Sequence, residues 1–264
     1  MADRLSGKVV LVTGAAQGTG EGAVRRIVAE GGRAIVADVQ PEKGRAVAAS
    51  LGDAARFAQL DVSSEPAWQR AVSHALAAFG RLDGLVNNAG VLWMGALEHT
   101  PVEQMERVLR VNLLGTMLGT KAVVPALRAA GGGAIVNVTS IEALGGMNSV
   151  AAYTASKWGS RGFTKSAAIE LGRDNIRVNC LCPSSGNPGM SAPFAGQIDG
   201  KRYLRHLPPP VLREGGNPGE VAIDDITPAI CFLLSDEAKR ITGAELAVDG
   251  GWTAGKHCPG LPGF

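Results

Sequence analysis

Cysteine is scarce in this chain: four among 264 residues, at positions 180, 182, 231 and 258. They lack paired C-x-x-C spacing and are too few for a disulfide-stapled scaffold. Cys180 and Cys182, two apart on an apparent strand, are expected to face opposite sides, an arrangement that would deny one metal both thiolates. The four histidines are scattered, so reduced thiols and no metal are expected. No Lys/Arg block interrupts a formal net charge of +2, and nothing marks an electrostatic footprint for nucleic acid or an anionic membrane. No apolar run approaches the roughly 18 residues of a membrane span. Residues 1–8 carry no apolar signal stretch, so the expected address is the cytoplasm and the expected partners are small molecules. Aromatic residues make up only 5% against 45% hydrophobic, which implies a core of Ala, Val, Leu and Gly.

Short apolar runs alternate with longer amphipathic stretches from residue 8 to about 250. Such alternation predicts an α/β fold, a Rossmann-type doubly wound parallel sheet of about seven strands with helices on both faces. The strand candidates are residues 8–13, 33–37, 56–60, 84–87, 134–139, 177–181 and 245–248. No internal repeat or low-complexity linker divides the chain, and 1–264 is read as one domain. The stretch 184–217 breaks the rhythm with Pro, Gly, Ser and Asn, including Pro208 to Pro210. Long irregular insertions of this kind are commonly lids, so it is the lid candidate. The Gly/Pro-rich tail 254–264 is not expected to form a regular element.

After the first strand candidate come Gly14, Gln17, Gly18, Thr19 and Gly20, leading straight into a helical stretch. A glycine-rich strand-to-helix turn lets backbone approach a pyrophosphate at the positive helix N-terminus. Asp38 closes the second strand, where a carboxylate can accept hydrogen bonds from both ribose hydroxyls of an adenosine. It would repel a 2'-phosphate, and neither Gln17 nor Val39 supplies a cation to hold one. The expected cofactor is therefore NAD rather than NADP.

Tyr153 and Lys157 stand four apart, and on a helix such residues share a face. A phenol is a weak base at neutral pH, but a nearby cation favours the phenolate, so the pair reads as an acid/base with a lowered phenolic pKa.

Together these residues resemble the short-chain dehydrogenase/reductase family from residue 8 to about 255. Asp61 and Val62 are similar to its adenine-contacting pair, and Asn87, Asn88, Ala89 and Gly90 to its structural signature after the fourth strand. Asn112, Ser140, Tyr153 and Lys157 match its four catalytic positions in order. Residues 52–56, 80–90 and 242–252 resemble most the bacterial NAD-dependent hydroxysteroid dehydrogenases. Two departures stand out. Thr19 occupies a place where the family commonly has Ile or Leu. After the sixth strand, Pro183 is followed by Ser184 at the usual glycine, Gly186 at the usual aliphatic residue and Pro188 at the threonine that holds the nicotinamide carboxamide. Pro183, Ser184 and Ser185 remain cofactor-contact candidates, with Ser185 or Asn187 as replacement donors.

The resemblance implies hydride transfer between nicotinamide and a carbinol or carbonyl carbon, with Tyr153 as proton shuttle, Ser140 on the substrate oxygen and Asn112 organising a relay to Lys157. Trp93, Met94, Glu142, Met147 and Asn148 follow strand ends, where ligands of such sheets bind; Trp93, Glu142, Met147 and Asn148 are the pocket candidates. With Phe194, Ile198, Tyr203, Leu204 and Leu207 in the lid, the surroundings suit a cyclic or steroid-like secondary alcohol or ketone. Two other readings stay open: a 3-oxoacyl thioester reductase, and a catalytically silent NAD-binding sensor or scaffold. The resemblance also implies a homotetramer, built partly on the helices carrying residues 109–127 and 152–171.

Overall fold

The computed structural model describes residues 3–184, 188–197 and 221–255. Its strands are β1 (Val9–Thr13), β2 (Arg33–Asp38), β3 (Ala55–Gln59), β4 (Gly84–Asn87), β5 (Gly133–Val138), β6 (Ile176–Pro183) and β7 (Glu245–Val248). All pair in parallel, in the order β3-β2-β1-β4-β5-β6-β7. The order reverses between β1 and β4, which opens a crevice at the C-terminal ends of these two strands.

The helices are α1 (Gly18–Ala29), α2 (Pro41–Ser50), α3 (Glu65–Phe79), α4 (Val102–Leu109), α5 (Gly115–Ala129), α6 (Ala151–Leu171), the short α7 (Pro188–Ser191) and α8 (Ile223–Leu234). They cover both faces because every central strand is apolar on both. In β1, Val10 and Val12 join the cluster containing Val24, Ile27, Ile226 and Ile230 from α1 and α8. Val9 and Leu11 join the opposite cluster with Trp68, Val123, Leu127 and Leu171 from α3, α5 and α6. Each fully buried Leu or Ile side chain contributes about 1.5–3 kcal/mol.

The largest ring of the core also shapes the crevice. Trp68 is buried on α3, whose first turn is capped by Ser64 accepting from the Ala67 N–H. Its indole Nε1 donates to the Val62 carbonyl at 2.9 Å, so packing of α3 fixes the turn after β3. The same ring lies against α5 at Gly119, where an added methyl would come within 2.6 Å of it.

Cys180 and Cys182 do not face opposite sides. Both are buried in one small cluster with Ala143, and Cys182 Sγ lies 3.0 Å from Thr139 Oγ1. Side chains two apart on a strand point the same way, and that period overrides the expectation. Cys258 lies outside the described residues. Among the described residues no group of three His, Cys, Asp or Glu side chains gathers as a metal site, and no helix is long and apolar enough to cross a membrane.

Candidate active site

The crevice begins where β1 and β4 end. Thr13 Oγ1 accepts the backbone N–H groups of Asn88 and Ala89, each at 3.0 Å, and donates to the Val86 carbonyl at 3.3 Å. Asn88 Nδ2 donates back to the carbonyls of Thr13 and Gly14 at 2.9 and 3.2 Å. The two turns are thereby stitched edge to edge. Gly14 turns with φ +62°, and Gly20, inside α1, has no room for a side chain: an added methyl would strike the Gly14 carbonyl oxygen. Thr19 is buried in the same helical turn. The N-terminus of α1 is thus presented at very close range to whatever lies over the turn, a geometry that favours an anion.

Asp38 is buried at the end of β2. Its Oδ2 accepts the Ala16 N–H at 2.9 Å and its Oδ1 the Gln40 N–H at 3.0 Å, with the Gln40 side chain at 3.4 Å. These bonds fix the carboxylate and leave acceptor capacity on Oδ2. Lys43, which the linear sequence did not bring to attention, donates from Nζ to Gln17 Oε1 at 3.0 Å across the same rim.

A cavity of about 660 Å³ runs past Gly14, Gln17, Asp38, Asp61 and Val62 to Asn88, Ala89, Gly90 and Met190. Its lining does not include Gly18, Thr19, Gly20, Pro183 or Ser184, and it stops short of Tyr153. The two regions meet at Gly90: an added methyl there would lie 3.4 Å from Asn112 Oδ1, 3.6 Å from Met190 Cε and 3.7 Å from Lys157 Nζ. Arg107 and Arg110, three apart on one helical face, and Glu103 and Glu106 also line the wall.

At the other end the four proposed catalytic side chains converge. Tyr153 and Lys157 are buried on α6, and Ser140 is buried directly after β5. Ser140 lies close enough to the Tyr153 hydroxyl to favour its ionised form. Lys157 Nζ sits over the Tyr153 ring, 5.4 Å from its centroid, and donates to the Val138 carbonyl at 3.1 Å. Asn112 lies in a π-helical turn, Arg110–Leu114, wedged between α4 and α5. Its amide clasps Val91, accepting from the N–H at 2.8 Å and donating to the carbonyl at 2.9 Å, and its Nδ2 also donates to Ser156 Oγ at 3.1 Å. Ser156 in turn donates to the Tyr153 carbonyl at 2.6 Å. Hydroxyls of Thr116 and Ser160 donate to the Asn112 carbonyl at 2.8 and 3.2 Å.

The expected lowering of the phenolic pKa does not hold for the protein by itself. Burial pushes Tyr153 up to about 12, with Ser140 opposing and the Glu142 charge adding to the rise. Burial likewise brings Lys157 down to about 8. Desolvation penalises both charged forms and is the largest cause of each shift.

On the substrate side, Trp93 and Met147 pack in one apolar cluster with Tyr153, Val108, Val150 and Met190. Phe194 meets Trp93 edge-to-face, with ring centroids 5.9 Å apart. Glu142 is half-buried, held by Thr154 Oγ1 at 3.4 Å, and its carboxyl is raised above the usual range by burial. Asn148 is exposed and is not gathered with them. Pro183 and Ser184 end β6, and the Ser184 N–H donates to the Val248 carbonyl at 3.3 Å. Ser185, Asn187, Ile198, Tyr203, Leu204 and Leu207 lie outside the described residues, as does most of the 184–217 lid candidate.

Reading by motif left out Thr13, Lys43, Met190 and Ser156. Ser156 carried a usable signal, one residue before Lys157 on the same helix. Lys43 and Met190 carried none, because tertiary folding alone brings them to Gln17 and Gly90.

A family model described as short chain dehydrogenase matches residues 8–197. The chain is 43% identical over 256 residues to a 3-alpha-(or 20-beta)-hydroxysteroid dehydrogenase of Mycobacterium tuberculosis, covering 97% of this chain and 93% of that one. It is 40% identical over 266 residues to a trans-4-hydroxycyclohexanecarboxylate dehydrogenase of Sinomonas cyclohexanicum, covering 97% of each. The crystal structure of levodione reductase superposes with a TM-score of 0.86 at 29% identity, over 96% of this chain and 100% of that one. Strand order, the crossing at β1 and β4 and these matches agree: the chain belongs to the short-chain dehydrogenase family of nicotinamide-dependent oxidoreductases.

Proposed function

We propose that this protein is an NAD(H)-dependent dehydrogenase that interconverts a cyclic or steroid-like secondary alcohol and its ketone. The observation that carries this reading is the burial together of Tyr153, Ser140 and Lys157, with Lys157 Nζ over the Tyr153 ring and Ser140 close enough to favour the ionised phenol. It places a proton donor and acceptor beside a second hydroxyl, with the Tyr153 ring packed in an apolar cluster.

The residues present suit a dinucleotide. Gly14 and Gly18 turn with φ +62° and +61° and Gly20 packs on the Gly14 carbonyl, which brings backbone to the α1 N-terminus where a pyrophosphate would sit. Asp38 keeps acceptor capacity for ribose hydroxyls, and Asp61 and Val62 border the cavity. A bound nicotinamide would accept or supply the hydride at its C4. Ser140 and Tyr153 would hold the substrate oxygen between them, and Tyr153 would take the hydroxyl proton in oxidation or return it in reduction. In the protein alone the phenol is strongly protonated at neutral pH, the form that serves reduction. Lys157 would favour phenolate formation in the oxidative direction, and Asn112 with Ser156 would hold the helix carrying both.

The named relatives act on ring alcohols, and the pocket candidates Trp93, Glu142 and Met147 surround Tyr153 in keeping with such a substrate. The reading is tested by steady-state kinetics of the purified protein with NAD and NADP against cyclic alcohols and ketones. Turnover with NAD is expected. Tight NADH binding without turnover of any ring alcohol or ketone, or a preference for NADPH, would refute it.

A further inference from the structure

The apolar cluster around Tyr153 contains one buried donor without a partner. The indole Nε1 of Trp93 has no hydrogen-bond partner among the described residues. Buried Trp N–H groups ordinarily find an acceptor, and one left without calls for an explanation. The ring is held from three sides. The Gly95 N–H donates to the Ser149 carbonyl at 2.9 Å, tying the segment after Trp93 to the loop beyond Ser140. An added methyl on Gly95 would come within 3.4 Å of Nε1. Phe194, from the described part of the lid, stands edge-to-face on the ring at an interplanar angle of 84°. The donor therefore lies in the same cluster as Tyr153, with Phe194 against its ring.

An indole N–H only donates, so its missing partner is an acceptor oxygen. We propose that Trp93 donates a hydrogen bond to a second oxygen of the substrate, remote from the reacting carbon, when Phe194 gives way to the bound ring. The preferred substrates are then cyclic alcohols or ketones that carry a further neutral oxygen, a hydroxyl or a keto group. A carboxylate is disfavoured, because the Glu142 side chain already imposes negative charge on this wall and acts on Tyr153. A site that donates to a substrate oxygen discriminates against analogues lacking it, because the donor is then left unpaired.

The proposal rests on the reading of the site as a ring-alcohol dehydrogenase, and the experiment separates the two. Wild-type protein is assayed in reduction with 4-hydroxycyclohexanone against 4-methylcyclohexanone, substituents of similar size that differ in the oxygen. For a longer span, 17β-hydroxy-5α-androstan-3-one is set against 5α-androstan-3-one. A kcat/KM ratio of about ten or more in favour of the hydroxylated member of at least one pair is expected. Trp93→Phe, which keeps a ring and removes the N–H, should cut that ratio by about tenfold. The ratio is the readout, so a general loss of rate in the variant does not obscure it. Ratios near one in both pairs, or an unchanged ratio in Trp93→Phe, overturn the proposal while leaving the dehydrogenase reading intact. Failure of the wild type to reduce any of the four ketones overturns both.

Discussion

Lys157 Nζ lies over the face of the Tyr153 ring, 5.4 Å from its centroid, and both side chains are buried. The charged form of each is penalised chiefly by desolvation. Removing the phenolic oxygen should leave the fold and the cofactor cavity in place while deleting the proton donor. Tyr153→Phe is expected to lower kcat/KM by about 10²–10⁴-fold. NADH affinity, read by fluorescence titration, should stay within about threefold of wild type. Near-normal turnover would exclude Tyr153 from the chemistry.

Lys157 also makes stability depend on pH. Its folded value of about 8 lies below the ordinary 10.5, so between these the unfolded chain binds more protons and stability rises with pH. Tyr153 works the other way: its folded value of about 12 exceeds 10.0, so its contribution falls only above pH 10. From pH 8 to 10 the lysine alone should add roughly 2–3 kcal/mol. Urea unfolding of wild type and Lys157→Met at several pH values checks this. The variant's advantage should be greatest below pH 8 and shrink toward pH 10; parallel curves would contradict the burial argument.

Ser156 joins two of the functional elements, donating to the Tyr153 carbonyl and accepting from Asn112 Nδ2. It is fully buried, so Ser156→Ala strips a partner from the Asn112 amide in a place without water. A loss of about 1–3 kcal/mol in unfolding free energy is expected, with a fall in kcat larger than any change in KM. A variant as stable and active as wild type would reduce the bridge to a bystander.

The sheet was legible because its cause is local. Runs such as Val9 to Val12 and Ile35 to Ala37 are apolar on both alternating faces, and all seven strands fall within two or so residues of where that pattern puts them. The four catalytic candidates were legible through motif order, and they do converge. What escaped was set by burial or by long-range folding. The phenol's rise depends on how completely α6 is covered, which spacing does not encode. Lys43 reaches Gln17 only because α2 packs beside the β1 turn. The thiol pair was misassigned through the strand period itself, since positions 180 and 182 share a side.

Asp38 is held by backbone N–H groups of Ala16 and Gln40, and Lys43 waits on the same rim. Asp38→Ala removes both a ribose acceptor and the negative charge that would repel a 2'-phosphate. KM for NAD should rise by about tenfold and KM for NADP should fall, a change of about 1.4 kcal/mol for each factor of ten. Adding Lys43→Ala should cancel the gain for NADP. If the single variant keeps its original cofactor ratio, Asp38 does not read the ribose.

Glu142 sits half-buried beside Thr154, and its negative charge holds the Tyr153 proton more tightly. Glu142→Gln removes that charge with little change in shape. The phenol then ionises more readily, so the rise of kcat/KM for alcohol oxidation with pH should begin at lower pH in the variant. Burial raises the Glu142 carboxyl itself, and as pH falls through its titration the wild-type side chain becomes neutral. Variant and wild type should therefore converge in acid and diverge in alkali. Profiles from pH 5 to pH 10 measure both ends. Superimposable profiles would mean that the carboxylate is screened from the phenol and serves only to brace the loop after Ser140.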